Sequence, residues 1–320
     1  MDHESLESEH DLARGRFVHA QTKLTMFAIS MPADLRGTVR EYYRLTKPGI
    51  IYGNLITVIG GFLLASRWHV DFGLLMATMI GISAIMASGC VFNNHIDRDI
   101  DAKMERTKHR ALVEGRIPGT SALIFGTILY ILGAAVLALF TNLLALSVAI
   151  FGLIVYVFFY SLWSKRYSVH STIIGALAGA VPPVVGYCTV TGRLDAAAVI
   201  LFLILTIWQL PHAFAIGVYR LKDYADAGVP VLPVAYGVYV TKIAICVAIV
   251  LFYFAVALLS AYGYTGYYYL SVMTIVSVVW FIDAMRGFRT SDDHAWGRRM
   301  FLFSLLALLI FCLLISIDQR

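Results

Sequence analysis

Residues 117–164, IPGTSALIFGTILYILGAAVLALFTNLLALSVAIFGLIVYVFFYSLWS, form the longest stretch of the chain without an aspartate, glutamate, lysine or arginine. A membrane-spanning helix needs about 20 mostly apolar residues, so these 48 residues are enough for two helices. The polar pair Thr141-Asn142 marks the predicted break between them. Transmembrane β-strands are about ten residues long and alternate in polarity, a pattern that is not seen here. The stretch therefore predicts an all-helical membrane protein.

Six further uncharged stretches have the length of a membrane span. They cover residues 48–66, 72–96, 167–192, 196–219, 243–282 and 300–317. The stretch at 243–282 is long enough for two helices joined by a turn at residues 262–266, so the predicted total is nine. Only 14% of the residues are charged, whereas a soluble domain carries about 25%. This composition excludes an ordinary soluble enzyme, a disordered protein and a basic nucleic-acid-binding domain.

The basic residues predict the orientation of the chain in the membrane. If the N-terminus is cytoplasmic, 22 of the 25 lysine and arginine residues lie on the cytoplasmic side, which is a strong positive-inside signal. Nine spans then place the C-terminus in the periplasm. Residues 1–40 are expected to form a polar cytoplasmic arm, and residues 41–320 the membrane domain. The acidic start of the arm is unlike a transit peptide, which is poor in acids, and favours a bacterial inner membrane.

Three oxygen-bearing side chains follow the second predicted span at a spacing of four residues. Asn93, Asp97 and Asp101 lie on one face if the span continues as a helix. Like charges four residues apart repel each other, so this face requires a cation. Carboxylate and amide oxygens suit Mg²⁺, a hard ion whose sites are often completed by substrate phosphates. The spacing predicts a magnesium site at the cytoplasmic end of the span.

Two arginines extend this pattern. Arg106 and Arg110 are again four residues apart, and guanidinium groups bind phosphate oxygens bidentately. The whole segment therefore predicts a metal–diphosphate site. The alternative is a solvated surface loop with ordinary salt bridges, which a single pair of aspartates would favour.

A second polar loop, at residues 219–234, follows the sixth predicted span and contains Lys222 and Asp223. Four spans separate it from the first polar loop, at residues 97–116, so both loops lie on the same side of the membrane. This arrangement fits two parallel four-helix halves around a central cavity that opens at the cytoplasmic face. A separation of more than about 20 Å between the loops would refute a shared site.

His212 is the one histidine that lies well inside a predicted span. A polar residue at that depth is functional by default, and its candidate roles are an axial ligand to a haem, a base or a polar contact to substrate. A hydrogen-bonded packing histidine is the alternative. Tyr160, one of several aromatic residues in the fourth span, is a candidate for stabilising a carbocation with its π face.

The run NNHIDRDIDAKMERTKHRAL at 93–112 resembles the first aspartate motif of the intramembrane prenyltransferases of the UbiA superfamily, NxxxDxxxDxxxxRTxxR. RLTKPGI at 44–50, YSLWSKR at 160–166 and GAVPPVVGY at 179–187 also match the family's pattern. The resemblance covers residues 41–317. It implies Mg²⁺ on Asn93, Asp97 and Asp101. It also implies contacts to the diphosphate from Arg106, Arg110, Lys165, Arg166 and Lys222. Tyr160 and Asp223 complete the implied substrate-binding residues, Tyr160 through its π face and Asp223 as a metal ligand of different geometry.

The second loop distinguishes between branches of the family. Most members carry a second DxxxD there, whereas this chain has Arg220 and Tyr224 near those positions. Residues 208–234 are similar to the branch that acts on haem. The resemblance implies transfer of a farnesyl group from farnesyl diphosphate to a vinyl group of haem b, with addition of water, to give haem O and diphosphate. The implied partners are both substrates, membrane lipid, and a downstream haem A synthase or terminal oxidase.

Three other functions remain as alternatives. A quinone-type aromatic polyprenyltransferase is disfavoured because its second DxxxD is missing. A multi-pass transporter has a similar topology but often carries charged residues near the membrane midplane, and the predicted spans carry none. A haem-binding subunit of an oxidase needs several intramembrane histidines.

Overall fold

A computed structural model describes residues 33–320 of the chain. Nine helices in this part are long and apolar enough to cross a membrane, as predicted. They are α1 (Pro48–Ser66), α2 (Phe72–Ile96), α3 (Gly119–Phe140), α4 (Leu143–Tyr167), α5 (Ser171–Thr191), α6 (Ala196–Tyr219), α7 (Leu232–Ala261), α8 (Tyr267–Arg289) and α9 (Asp293–Ile317). The prediction of an all-α multi-pass protein is confirmed; the central cavity stays a prediction.

The chain falls into two units, residues 1–44 and 45–320. The first contains the start of a helix at Ala33–Leu45. The predicted cytoplasmic arm lies mostly outside the described residues, which begin at residue 33. The proposed division at residue 40 therefore stays a prediction.

The predicted break between α3 and α4 is held by Asn142. Its Oδ1 accepts a hydrogen bond from the backbone N–H of Ala145 at 2.8 Å, which caps the start of α4. Its Nδ2 donates to the carbonyl oxygens of Cys188 and Thr189, both at 3.0 Å. The polar break thus also attaches this turn to the end of α5.

The last three helices extend beyond the uncharged stretches that predicted them, because paired charges are accommodated inside the helices. Lys242 of α7 donates to the carbonyl oxygen of Gly287 at 2.7 Å, and its Nζ lies 2.5 Å from Asp293 Oδ1. Arg299 Nε of α9 lies 3.0 Å from Asp283 Oδ2 of α8. These helices therefore contain charged residues that lie outside the uncharged stretches, and each of the charges named here has a partner.

Helices α1 and α5 pack with their backbones in close approach at two glycines. An added Cβ at Gly61 would lie 2.1 Å from the carbonyl oxygen of Pro183, and one at Gly186 would lie 2.2 Å from that of Val58. Small residues allow such close contacts between membrane helices. Gly186, the second glycine in GAVPPVVGY, therefore has a packing role.

We expect Gly61→Ala to destabilise the protein by at least about 3 kcal/mol, the upper end of the usual cost of overpacking. The clash is with backbone, so no side chain can move aside. Thermal unfolding in detergent measures the effect. Gly53→Ala on the same helix is the control, because nothing lies within 4 Å of its added Cβ. Equal melting temperatures for the two variants would contradict the assignment.

Candidate active site

The three predicted metal ligands form a single buried face at the end of α2. This face, made by Asn93, Asp97 and Asp101, is called the carboxylate face. The backbone N–H of Asp97 bonds to the carbonyl oxygen of Asn93 at 2.9 Å, and that of Asp101 bonds to Asp97 at 2.7 Å. The helical hydrogen-bond pattern therefore continues past the end of α2 into the short helix Arg98–Asp101, although the ψ of 4° at Asp97 is not helical. The exposed fractions of Asn93, Asp97 and Asp101 are 2%, 1% and 4%. This burial argues against a solvated surface loop.

Each buried carboxylate of this face is paired with a cation. Lys165 forms an ion pair with Asp97, and Arg110 forms one with Asp101. The same Nη1 of Arg110 donates to Asn94 Oδ1 at 3.0 Å. Removing one partner of a buried pair leaves an uncompensated charge, so these pairs hold the face together. The structure thus brings Asn93, Asp97, Asp101, Arg110 and Lys165 into one cluster.

The orientation of the Asn93 amide is set by its neighbours. Its Nδ2 donates to Asp97 Oδ2 at 2.8 Å and to Ser161 Oγ at 2.9 Å. Ser161 accepts this bond because its own proton goes to the carbonyl oxygen of Tyr156 at 2.8 Å. The Oδ1 of Asn93 accepts from Lys47 Nζ at 2.5 Å. The amide oxygen is therefore directed away from Asp97 and toward Lys47.

Ser161 reaches Asn93 from a π-helical segment of α4, Val155–Ser164. Such segments are rare and occur frequently at functional sites. The rings of Tyr156 and Tyr160 stack within it with centroids 5.7 Å apart. Phe158, Phe159 and Trp163 of the same segment are each at least half exposed. The structure thus separates the inward tyrosines from the aromatic residues on the outer surface.

Arg166 fixes the start of the first loop. Its two Nη atoms donate to the carboxylate of Asp99, both at 2.7 Å, and Nη2 also donates to the carbonyl oxygen of Ile96 at 2.6 Å. The hydrogen bonds from Arg166 lower the pKa of Asp99 to about 2. The guanidinium is thus engaged with the loop, and its predicted contact to substrate stays a prediction.

The two polar loops lie against each other, as predicted. Ile100 and Met104 of the first loop form a buried apolar cluster with Ala227 and Val229 of the second. Direct packing is well inside the 20 Å limit for a shared site.

Three predicted substrate-binding residues lie at the edge of the charged cluster around Asp97 and Asp101. Lys222 and Arg106 are exposed and Asp223 is partly exposed; their side chains form no hydrogen bond or ion pair within residues 33–320. Tyr224 of the second loop lies near Tyr160 and Lys165 of α4. Burial raises the pKa of its phenol, with the nearby charges of Lys165 and Arg106 acting in the opposite direction.

His212 lies apart from the carboxylate face, between α6 and α9. Its Nδ1 is 2.7 Å from Ser304 Oγ, and Ser304 donates its single proton to the carbonyl oxygen of Phe301 at 2.6 Å. Nδ1 must therefore carry the proton of the neutral imidazole, which leaves a lone pair on Nε2. The ring stacks on Trp208 with centroids 4.8 Å apart. His212 is hydrogen-bonded, yet one of its nitrogens remains available as a ligand.

The carboxylate face fits a hard metal ion, provided that other oxygens complete its coordination. Asp97 Oδ1 is buried and has no hydrogen-bond partner among the described residues. No group of three or more histidine, cysteine, aspartate or glutamate side chains in residues 33–320 is placed to hold a metal ion by itself. Carboxylate oxygens, an amide oxygen, water and phosphate together form the type of site that Mg²⁺ prefers.

Lys47 and Ser161 are site residues that the sequence motifs did not predict. Lys47 lies in the RLTKPGI stretch, so its position was visible although its contact with Asn93 was not. Burial lowers the pKa of its ammonium group to about 8. Ser161 reaches the site through π-helical geometry, which no local sequence pattern indicated.

The UbiA prenyltransferase family matches residues 54–306, and the chain belongs to this family. A protein named protoheme IX farnesyltransferase from Serratia proteamaculans (strain 568) is 51% identical over 280 residues, covering 88% of this chain and 95% of the relative. One of the same name from Escherichia coli O1:K1 / APEC is 50% identical over 279 residues, covering 87% and 94%. The family prediction is confirmed, and these names agree with the predicted transfer to haem.

Solved structures share the fold. The structure described for digeranylgeranylglyceryl phosphate synthase has a TM-score of 0.72 at 21% identity and covers 88% of this chain and 98% of that chain. A UbiA homolog from Archaeoglobus fulgidus, bound to GPP and Mg²⁺, has a TM-score of 0.66 at 17% identity and covers 87% and 100%. At these identities the likeness establishes the helical fold alone.

Proposed function

We propose that this chain transfers the farnesyl group of farnesyl diphosphate to a vinyl group of protoheme IX, with addition of water, to give haem O and diphosphate. The observation that carries the proposal is the buried carboxylate face lined by cations. The relatives named protoheme IX farnesyltransferase, about half identical over most of both chains, support haem b as the acceptor.

The reaction begins when the bond between C1 of the farnesyl group and oxygen breaks and the electron pair leaves with diphosphate. Positive charge near the departing oxygens stabilises this step, and Arg110 and Lys165 supply it. The π electrons of the vinyl group then form a bond to C1. A water oxygen bonds to the remaining vinyl carbon and releases one proton. The π faces of Tyr156 and Tyr160 stabilise the allylic cation meanwhile.

We propose Asn93, Asp97 and Asp101 as ligands for Mg²⁺. The ion, when bound, neutralises charge on the diphosphate oxygens. The unpartnered Asp97 Oδ1 supports this assignment. The Archaeoglobus fulgidus homolog solved with GPP and Mg²⁺ supports it at the level of the family.

We propose His212 as an axial ligand that positions the haem through the iron. Its Nδ1 is hydrogen-bonded to Ser304, which fixes the ring orientation, as is usual for histidines that bind metals. In this arrangement Nε2 is the ligating atom. A role as base, or as another polar contact to substrate, uses the same nitrogen and remains the alternative.

We expect His212→Ala to shift the absorption spectrum of haem b bound to the purified protein, because the axial ligand is lost. Diphosphate binding is expected to be unchanged, since His212 does not contact the carboxylate face. His170→Ala, at an exposed histidine, is the control. An unchanged haem spectrum in His212→Ala would remove the residue as a ligand.

The positive-inside pattern supports a cytoplasmic N-terminus and a periplasmic C-terminus, and the bacterial relatives support the inner membrane. The active site then opens to the cytoplasm, where a soluble diphosphate is released. Proposed partners are farnesyl diphosphate, haem b, membrane lipid and a downstream haem A synthase or terminal oxidase.

The test of the function is conversion of haem b by the purified chain with farnesyl diphosphate and Mg²⁺. A more hydrophobic haem, heavier by one farnesyl group and one hydroxyl group, is the expected product. Its absence in a preparation that binds both substrates would refute the proposal. Supplying a hydroxybenzoate as acceptor tests the quinone-type alternative, and membership of the prenyltransferase family argues against a transporter.

A further inference from the structure

Lys47 has an unusual backbone conformation at the start of α1. Its φ and ψ of 52° and 61° are left-handed, which is unfavourable for a residue with a side chain. The following residue is Pro48, which itself disfavours helical conformations in the residue before it. Such strain is found mostly where function requires a particular geometry. Here it directs the Lys47 side chain onto Asn93 Oδ1.

Apart from the exposed Arg106 and Lys222 at the edge of the site, the charged side chains that contact the carboxylate face are paired one to one, except for Lys47. Asp97 pairs with Lys165, Asp101 with Arg110, and Asp99 with Arg166. Within residues 45–320, no carboxylate forms an ion pair with Lys47, and its hydrogen-bond partner is a neutral amide. A partly buried ammonium group without a counter-ion is costly. The cluster therefore has one positive charge in excess, on a side chain that already reaches the proposed metal ligands.

We propose that Lys47 is a diphosphate-binding residue, whose ammonium group passes from Asn93 Oδ1 to a phosphate oxygen of the substrate. A metal ion on the same amide oxygen repels the ammonium group, and a phosphate oxygen supplies the missing negative charge. The inference rests on the proposed function for its substrate class. Lys47, which immediately precedes α1, is then the third cation at the diphosphate, beside Arg110 of the first loop and Lys165 of α4.

The test measures binding of inorganic diphosphate by the purified full chain in Mg²⁺, and binding of Mn²⁺ alone by electron paramagnetic resonance. Lys47→Met is expected to weaken diphosphate binding at least about tenfold, the effect of one hydrogen bond to a charged group. Mn²⁺ affinity without diphosphate is expected to be unchanged or higher, because Asn93 Oδ1 is released. Lys47→Arg keeps the charge and is expected to restore most of the diphosphate affinity. Lys103→Met, an exposed lysine of the first loop, is the control.

Two results would overturn the proposal. Unchanged diphosphate affinity in Lys47→Met removes the contact, and an equal loss of Mn²⁺ and diphosphate affinity assigns Lys47 a purely structural role on Asn93. If this variant does not fold, amine acylation of the wild-type chain gives the answer: diphosphate should protect Lys47 and leave Lys103 reactive, and equal labelling refutes the contact. A chain that binds diphosphate through Lys47 but does not farnesylate haem would refute the proposed function alone.

Discussion

Asp97→Asn is expected to lower the rate of prenyl transfer by about a thousandfold or more, comparable to the loss of a principal electrostatic group in an active site. Asp97 Oδ1 is the buried carboxylate oxygen of the face that has no hydrogen-bond partner among the described residues. An amide of the same shape can still contact Asn93 but binds Mg²⁺ weakly. The substitution also leaves Lys165 without its buried counter-ion, so stability should fall as well.

The effect of Asp97→Asn on the reaction is therefore measured separately from its effect on folding. Turnover is normalised to the folded fraction, and Mn²⁺ binding is measured on the same preparation. Glu105→Gln is the matched control, because Glu105 lies in the same loop with its side chain 78% exposed. Its surface ion pair with Lys108 contributes little. Turnover near the wild-type rate in folded Asp97→Asn would refute the metal role.

The membrane spans could be predicted from the sequence because charged residues are scarce, and long stretches without them correspond to helices that cross the membrane. The predicted breaks at Thr141-Asn142 and at residues 262–266 correspond to the ends of α3 and α7. The prediction was least accurate at the ends of α7, α8 and α9. There Lys242 and Asp283 lie inside helices because partners on neighbouring helices compensate them. Pairing between helices is a tertiary property that a local pattern does not contain.

The site could be predicted where its residues are local in sequence. The four-residue spacing of Asn93, Asp97 and Asp101 becomes one face because hydrogen bonds between residues four apart continue past the end of α2. Contacts from distant segments were missed. Lys47 and Ser161 lie 46 and 68 residues from Asn93 in sequence, and their convergence depends on how α1, α2 and α4 pack.

Arg110→Lys is the second substitution expected to have a very large effect, with a loss of about a hundredfold to a thousandfold in turnover. Arg110 Nη1 bonds at once to the carboxylate of Asp101 and to Asn94 Oδ1. A lysine presents a single, strongly hydrated point charge and lacks the planar fork of donors. It keeps the charge near Asp101, but with Asp101 and Asn94 bound it has a single donor left and cannot bind a phosphate bidentately.

The comparison with Arg110→Met tests whether geometry or charge is decisive at this position. If the planar fork matters, the lysine variant will resemble the methionine variant in turnover, while its thermal stability stays closer to wild type because Asp101 keeps a counter-ion. Arg98→Lys, at an exposed arginine of the same loop, should have nearly wild-type activity. A lysine variant with nearly full turnover would show that Arg110 acts through charge alone, and the bidentate contact to diphosphate would then be wrong.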